Sequence, residues 1–307
     1  MKRFERLEGL IAAPFTPMHE YGSLNLDIIP DYYKLLKRNK VIGAFINGST
    51  GEGVSQTGEE KKQVIQAWSE ATKGDSEFKV INLVGGTSLA ESVEMASFSE
   101  EMGLFGIAYT SPYYFKPATA RVLADCCTQV AAAAPNIAFY YYHIPVLTGC
   151  NVTMLDLLNT VNGSIPNFAG IKYTHEDFMD FLSCIYQEGG RYDMLWGRDE
   201  NMLSALALGS FGAVGSTFNY AAPLYLDMIE AFKRGELLKA RDLQKRSIDI
   251  IRLLGKYGGI TVGKAYMKLI GLDCGKFRLP LQNMSPEQYE SFSKDVAAIG
   301  FDELRSV

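Results

Sequence analysis

Residues 168–187, FAGIKYTHEDFMDFLSCIYQ, carry the unit from which the fold is read. The first eight are short, apolar and aromatic, and they read as a buried strand (168–175). The remainder reads as a helix (176–187). Lys172 stands in the middle of the strand. A buried ammonium gives up its hydration at high cost, so this lysine calls for a chemical reason.

The same unit recurs along the chain. Strand-like runs at 9–17, 43–50, 79–86, 106–112, 137–145, 193–199 and 212–217 alternate with helix-like runs at 27–39, 58–73, 88–102, 118–133, 153–162, 201–208 and 222–233. Regular strand-then-helix alternation predicts a parallel sheet with helical crossovers. Eight such pairs, counting 168–187, predict an α/β protein of the (β/α)₈ or TIM-barrel type, a fold that typically takes about 250 residues. A doubly wound sheet is the alternative. It more often shows a glycine-rich phosphate turn after the first strand, where this chain has APFTPM (13–18). Residues 236–307 add helix-like pieces at 236–256, 261–270 and 286–299 and no convincing strand. The expected organisation is a catalytic barrel over 1–235 with a helical extension over 236–307 packed beside it.

The chain has 307 residues, 47% hydrophobic and 21% charged, with a net charge of −5. Its basic residues are scattered, which argues against a nucleic-acid surface. No apolar run is long enough to span a membrane, and the proline-containing start MKRFERLEGLIAAPFTP does not read as a signal peptide. Five cysteines without a CxxC fit reduced thiols and a cytoplasmic protein.

Three motif-like stretches carry little. GGITVGK (258–264) fits a phosphate-loop spacing, but Ala265 follows where Ser or Thr is needed and no strand precedes it, so a turn between helices is expected. GSFGAVG (209–215) reads as a helix end followed by a strand. His19, His143 and His175 lack the spacing of a metal site, and no metal is expected. His143 reads as a residue that packs or supports the site from behind rather than as a catalyst.

An α/β barrel places its active site at the C-terminal ends of the strands. The strand ends here read NGSTGEG (47–53), SPYYF (111–115), YYYHIP (140–145), GIKYT (170–174), WGRDE (196–200) and VGST (214–217). Gly170, Lys172 and Thr174 share one strand face. If that face points inward, apolar walls depress the basicity of Lys172, and its neutral amine can attack a carbonyl to form a Schiff base. In GSTGEG, backbone amides and the hydroxyls of Ser49 and Thr50 can converge on a carboxylate. Tyr142, on a neighbouring strand end, is a candidate for proton transfer beside the Schiff base.

Taken together, GSTGEG, SPYYF, YYYHIP and GIKYT resemble the pyruvate-dependent class I aldolases that include dihydrodipicolinate synthase and N-acetylneuraminate lyase. The resemblance covers essentially the whole chain. It implies a (β/α)₈ barrel, usually a homotetramer, with Lys172 as the Schiff-base residue, Tyr142 in proton transfer and Ser49 and Thr50 on the pyruvate carboxylate. It implies no organic cofactor. It matches Tyr114 to a tyrosine that reaches a neighbouring subunit's site. The synthases carry an arginine shortly after the catalytic tyrosine, where YHIPVLTG (142–149) has Val146 and Leu147, which cannot grip a carboxylate. The lyase branch is the better match through YHIPVLTG, GRDEN (197–201) and VGSTFNY (214–220). That likeness implies that Thr174, Gly197, Asp199, Glu200 and Ser216 line a site for the polyhydroxylated part of sialic acid. The expected activity is reversible cleavage of N-acetylneuraminate to pyruvate and N-acetylmannosamine. The rival readings are an aldolase for 2-keto-3-deoxy sugar acids, a dihydrodipicolinate synthase-like enzyme, and a barrel that binds a keto acid only as a sensor.

Overall fold

A computed structural model describes residues 4–307. Eight parallel strands close into a barrel in sequence order: β1 (Gly9–Ala12), β2 (Gly43–Ile46), β3 (Lys79–Leu83), β4 (Gly106–Tyr109), β5 (Ala138–His143), β6 (Phe168–Tyr173), β7 (Asp193–Trp196) and β8 (Gly212–Gly215). Between and after them run α1 (Ile29–Arg38), α2 (Gly58–Ala71), α3 (Leu89–Glu101), α4 (Ala120–Ala132), the one-turn α5 (Pro145–Thr148), α6 (Met154–Val161), α7 (Phe178–Tyr186), α8 (Met202–Ala207) and α9 (Phe218–Lys233). Three further helices follow, α10 (Leu237–Tyr257), α11 (Val262–Leu269) and α12 (Pro286–Ala298). The barrel with C-terminal helices expected from the sequence is the fold observed. No described helix is long and apolar enough to cross a membrane.

Alternation along each strand divides the interior in two. Ile11, Phe45, Ile81, Ala108, Tyr140, Leu195 and Val214 pack with one another inside the barrel. Their neighbours, among them Leu10, Ala44, Val80, Ile107, Phe139, Ile171 and Ala213, face the helices and join the larger core beneath them. Both faces are therefore buried, which is why the strands read as nearly continuous apolar runs. Helices meet this shell by an apolar stripe. In α1 the stripe is Ile29, Tyr32, Leu35 and Leu36, spaced for one helical face.

The helix starts are chemically marked. Thr57 caps α2 by accepting from the Glu60 N–H at 3.2 Å, and Glu60 accepts in return from the Thr57 N–H at 2.9 Å. Ser285 and Gln288 form the equivalent box at α12. The helix expected at 222–233 begins earlier, at Phe218, and kinks at Ala221 just before Pro223. Pro223 has no N–H to donate within a continuous helix, which accounts for the break at Ala221.

A buried acid bridges two segments at the N-terminal end of the barrel. Asp193 is buried there, and its carboxylate accepts from the Leu7 N–H and the Tyr140 hydroxyl, each at 3.1 Å. Burial pushes this acid up to about 7.

Every strand stops short of its expected C-terminal end. β2 ends at Ile46, β6 at Tyr173 and β8 at Gly215. The residues just beyond have strand-like composition but turn into loops, and these loops carry the site.

Candidate active site

Lys172 lies on β6 inside the barrel and is only 5% exposed. Its Nζ sits 3.9 Å from the centroid of the Phe45 ring and 4.1 Å from that of Tyr142. Desolvation pulls its pKa from 10.5 down to about 7, against the opposing pull of the Asp199 carboxylate. The two rings favour an ammonium, but loss of water outweighs them. The neutral amine is therefore accessible near pH 7.

Tyr142 is the register partner of Lys172 across β5 and β6. Its ring meets Phe45 edge-on at 5.5 Å, and its carbonyl accepts from Thr110 Oγ1 at 3.0 Å. Burial pushes the phenol up to about 12, opposed by the neighbouring hydroxyls of Ser49 and Thr174, which favour the anion. Thr174 Oγ1 itself is buried without a hydrogen bond of regular geometry, which leaves it open to a ligand.

Ser49 and Thr50 occupy a tight loop after β2. Asn47 and Glu52 bracket it in left-handed conformations, with φ of 54° and 57°. The Glu52 N–H donates to the Ser49 carbonyl and the Gly53 N–H to that of Gly48, both at 3.2 Å. The Gly51 carbonyl accepts from Thr16 Oγ1 at 2.6 Å and Gln56 Nε2 at 2.7 Å. Thr50 is buried and Ser49 half-buried.

Asp199 follows β7. Its Oδ2 accepts from the Thr217 N–H at 3.0 Å and the Thr217 hydroxyl at 2.6 Å. Burial pushes this acid up to about 6, and the two Thr217 donors and the charge on Lys172 oppose the shift. The extension also holds it, because Gln244 Nε2 donates to its carbonyl at 3.1 Å. Two glycines make room here. A Cβ on Gly197 would lie 1.9 Å from Thr174 Oγ1, and one on Gly215 would lie 2.1 Å from Asp199 Oδ1. Glu200, partly exposed, is tied to Arg198 at 2.7 Å, and the same guanidinium reaches Glu176 at 3.0 Å. Ser216 follows Gly215, and its carbonyl accepts from Asn219 Nδ2 at 2.8 Å.

Lys172, Tyr142, Ser49, Thr174 and Asp199 thus converge through direct contact or electrostatic coupling, with Thr50, Gly197, Glu200 and Ser216 next to them in sequence or space. Tyr114 stands apart: it is 76% exposed and packs edge-on against Phe115 at 5.1 Å. Phe45, Thr110, Thr217 and Arg198 were not singled out from the sequence. Thr217 closes the VGST stretch, so its hydroxyl could have been found there. Phe45 reads only as a core residue until its position against Lys172 is known. His143 lies on the outer barrel face, 5.0 Å from Tyr173 and 5.6 Å from His175 between ring centroids. Burial pulls it down to about 3, so it is a neutral packing residue as expected. Lys264 of GGITVGK sits in α11 and pairs with Glu52, so that stretch is indeed the junction of two helices. Among the described residues no group of three or more His, Cys, Asp or Glu is gathered as metal ligands.

A (β/α)₈ barrel with a strand lysine of depressed basicity beside a phenol defines a Schiff-base aldolase type of site. The chain matches the model of the dihydrodipicolinate synthetase family over residues 6–299 and belongs to that family. It is 40% identical to the N-acetylneuraminate lyase of Homo sapiens over 304 residues, covering 97% of this chain and 94% of that one. The solved structure of Proteus mirabilis N-acetylneuraminate lyase superposes with a TM-score of 0.93 at 39% identity, covering 97% of this chain and 100% of the other. A catalytic lysine mutant of the Ruminococcus gnavus sialic acid aldolase superposes with a TM-score of 0.90 at 26% identity, over 99% and 100% of the two chains.

Proposed function

We propose that this protein catalyses the reversible aldol cleavage of N-acetylneuraminate to pyruvate and N-acetylmannosamine. The observation that carries the reading is the buried amine of Lys172, held near neutrality between Phe45 and Tyr142. The names of the relatives support the choice of substrate, as does the absence of an arginine after Tyr142: Val146 and Leu147 stand on α5, largely exposed.

The open-chain substrate binds with its carboxylate at Ser49 and Thr50. The neutral amine of Lys172 adds to the adjacent ketone, and loss of water gives an iminium. That new positive charge lies over the Tyr142 ring and favours the phenolate, which the Ser49 and Thr174 hydroxyls already assist. Tyr142 then takes the proton from the C4 hydroxyl. The C3–C4 electron pair moves into the iminium, and N-acetylmannosamine leaves as the aldehyde. The remaining enamine takes a proton at carbon, and water releases pyruvate and regenerates the amine. The lysine itself supplies the electrophilic activation, so the mechanism calls on no cofactor. Thr174, Gly197, Asp199, Glu200 and Ser216 bind the polyol, where carboxylates accept from vicinal hydroxyls and hydroxyls can do both.

We further infer a homotetramer in the cytoplasm. The exposed pair Tyr114 and Phe115 suits a place at a neighbouring subunit's site, and the free state of all five cysteines suits a reducing compartment. The barrel, residues 1–235, supplies the reacting groups, and residues 236–307 support it.

Borohydride reduction in the presence of pyruvate should fix one adduct on Lys172, and Lys172→Ala should release no pyruvate from N-acetylneuraminate. An adduct on another residue, or none, overturns the mechanism. Faster cleavage of shorter 2-keto-3-deoxy sugar acids would overturn the substrate assignment, and saturable binding without product release would make the protein a sensor.

A further inference from the structure

The loop that bears Ser49 and Thr50 is held from outside the barrel. Glu52 adopts a left-handed backbone, φ 57°, although it is not glycine. Such a conformation persists when its surroundings over-determine it. Its side chain is 1% exposed and both oxygens are engaged. Oε1 accepts from Lys264 Nζ at 2.9 Å, and Oε2 accepts from the Arg278 N–H at 2.8 Å. Lys264 is itself 3% exposed, donates to the Lys276 carbonyl at 2.9 Å and lies 4.5 Å above the Phe277 ring. All of these partners belong to the C-terminal extension. Around them, Arg278 also pairs with Glu60 at the start of α2 and donates to the Gly22 carbonyl at 2.7 Å.

A fully buried ion pair is weak evidence for stability, because desolvation offsets its attraction, but it is strongly directional. Here the direction bears on one loop. The Glu52 N–H donates to the Ser49 carbonyl, so the orientation of Glu52 sets that of the Ser49–Thr50 peptide. We propose that Glu52 and Lys264 are positioning residues for the keto-acid carboxylate: their ion pair aims the amides and hydroxyls of Ser49 and Thr50, and the extension thereby completes the site. The proposal rests on the reading of Ser49 and Thr50 as the carboxylate subsite.

The test compares borohydride trapping by pyruvate with trapping by hydroxyacetone, a ketone without a carboxylate, in the full chain. The variants are Lys264→Met and the neutral double variant Glu52→Gln/Lys264→Met, which leaves no orphaned charge if the single variant fails to fold. Circular dichroism and thermal midpoints establish which variants fold. In a folded variant the half-saturating pyruvate concentration should rise at least about tenfold, with maximal adduct formation and hydroxyacetone trapping within about twofold of the wild type. An unchanged pyruvate half-saturation overturns the proposal. So does an equal loss for both ketones, which is the signature of general structural support. Absence of any pyruvate adduct in the wild type would instead remove the Schiff-base reading, and this proposal with it.

Discussion

Replacing Lys172 with methionine should abolish imine formation and make the protein more stable. The amine's pKa falls from 10.5 in its ordinary state to about 7 in the fold. Between those values the unfolded chain binds a proton at this amine that the folded chain does not, so stability rises with pH across the window from 7 to 10.5. At about 1.4 kcal/mol per pK unit, lysine costs the fold roughly 4 kcal/mol at pH 7 and roughly 1 kcal/mol at pH 9.5. Methionine has a similar length and keeps favourable sulfur contacts with the Phe45 and Tyr142 rings. The attraction of Asp199 for the ammonium is already contained in the pKa of about 7. A net gain of roughly 2–4 kcal/mol at pH 7 is expected, narrowing towards pH 9.5. Urea unfolding at the two pH values, followed by fluorescence and circular dichroism, reads both quantities. A variant no more stable than the wild type at pH 7, or a gap that widens with pH, would refute the account of Lys172 as a desolvated amine.

The initial rate of pyruvate adduct formation should rise with pH through about 7 as the amine loses its proton, and a flat profile from pH 6 to 8 would contradict the lowered basicity. Tyr142→Phe should still form the adduct but slow cleavage by roughly 10²–10⁴-fold, seen as trapped protein without N-acetylmannosamine release. Gly215→Ala brings a methyl group to 2.1 Å from Asp199 Oδ1, so it should impair N-acetylneuraminate cleavage far more than pyruvate trapping. Asp193 has its folded pKa raised from 3.8 to about 7, so its contribution to stability is full below pH 3.8 and is lost as pH rises to 7. Asp193→Asn should flatten that fall in denaturation curves taken between pH 4 and 7.

The barrel was legible because its signal is periodic and repeated eight times. The strand ends were less so. Ser49, Thr174 and Ser216 have β-compatible neighbours, and only the closed sheet reveals that pairing stops before them. Lys172 stood out because a cation in a buried run is chemically odd, whereas Tyr142, an ordinary residue for a strand, stood out only by its place at a strand end and by the resemblance to the aldolases. Phe45 did not, because an apolar residue in a strand is the ordinary case. The support of Ser49 and Thr50 by Lys264 was out of reach for a different reason. Glu52 and Lys264 are 212 positions apart, and no local pattern encodes a partner at that distance.

The filled interior of the barrel has a kinetic consequence for the proposed reaction. With Ile11, Ile81, Tyr140, Leu195 and Val214 packed together inside the barrel and Asp193 bridging Leu7 and Tyr140 at its N-terminal end, the loop mouth is the route expected for solutes. The water expelled on condensation and the water needed for hydrolysis must share that opening with the sugar. An aldehyde sugar lodged in the mouth would therefore keep hydrolytic water from the enamine's successor, so the six-carbon amino sugar should depart first and the three-carbon acid last.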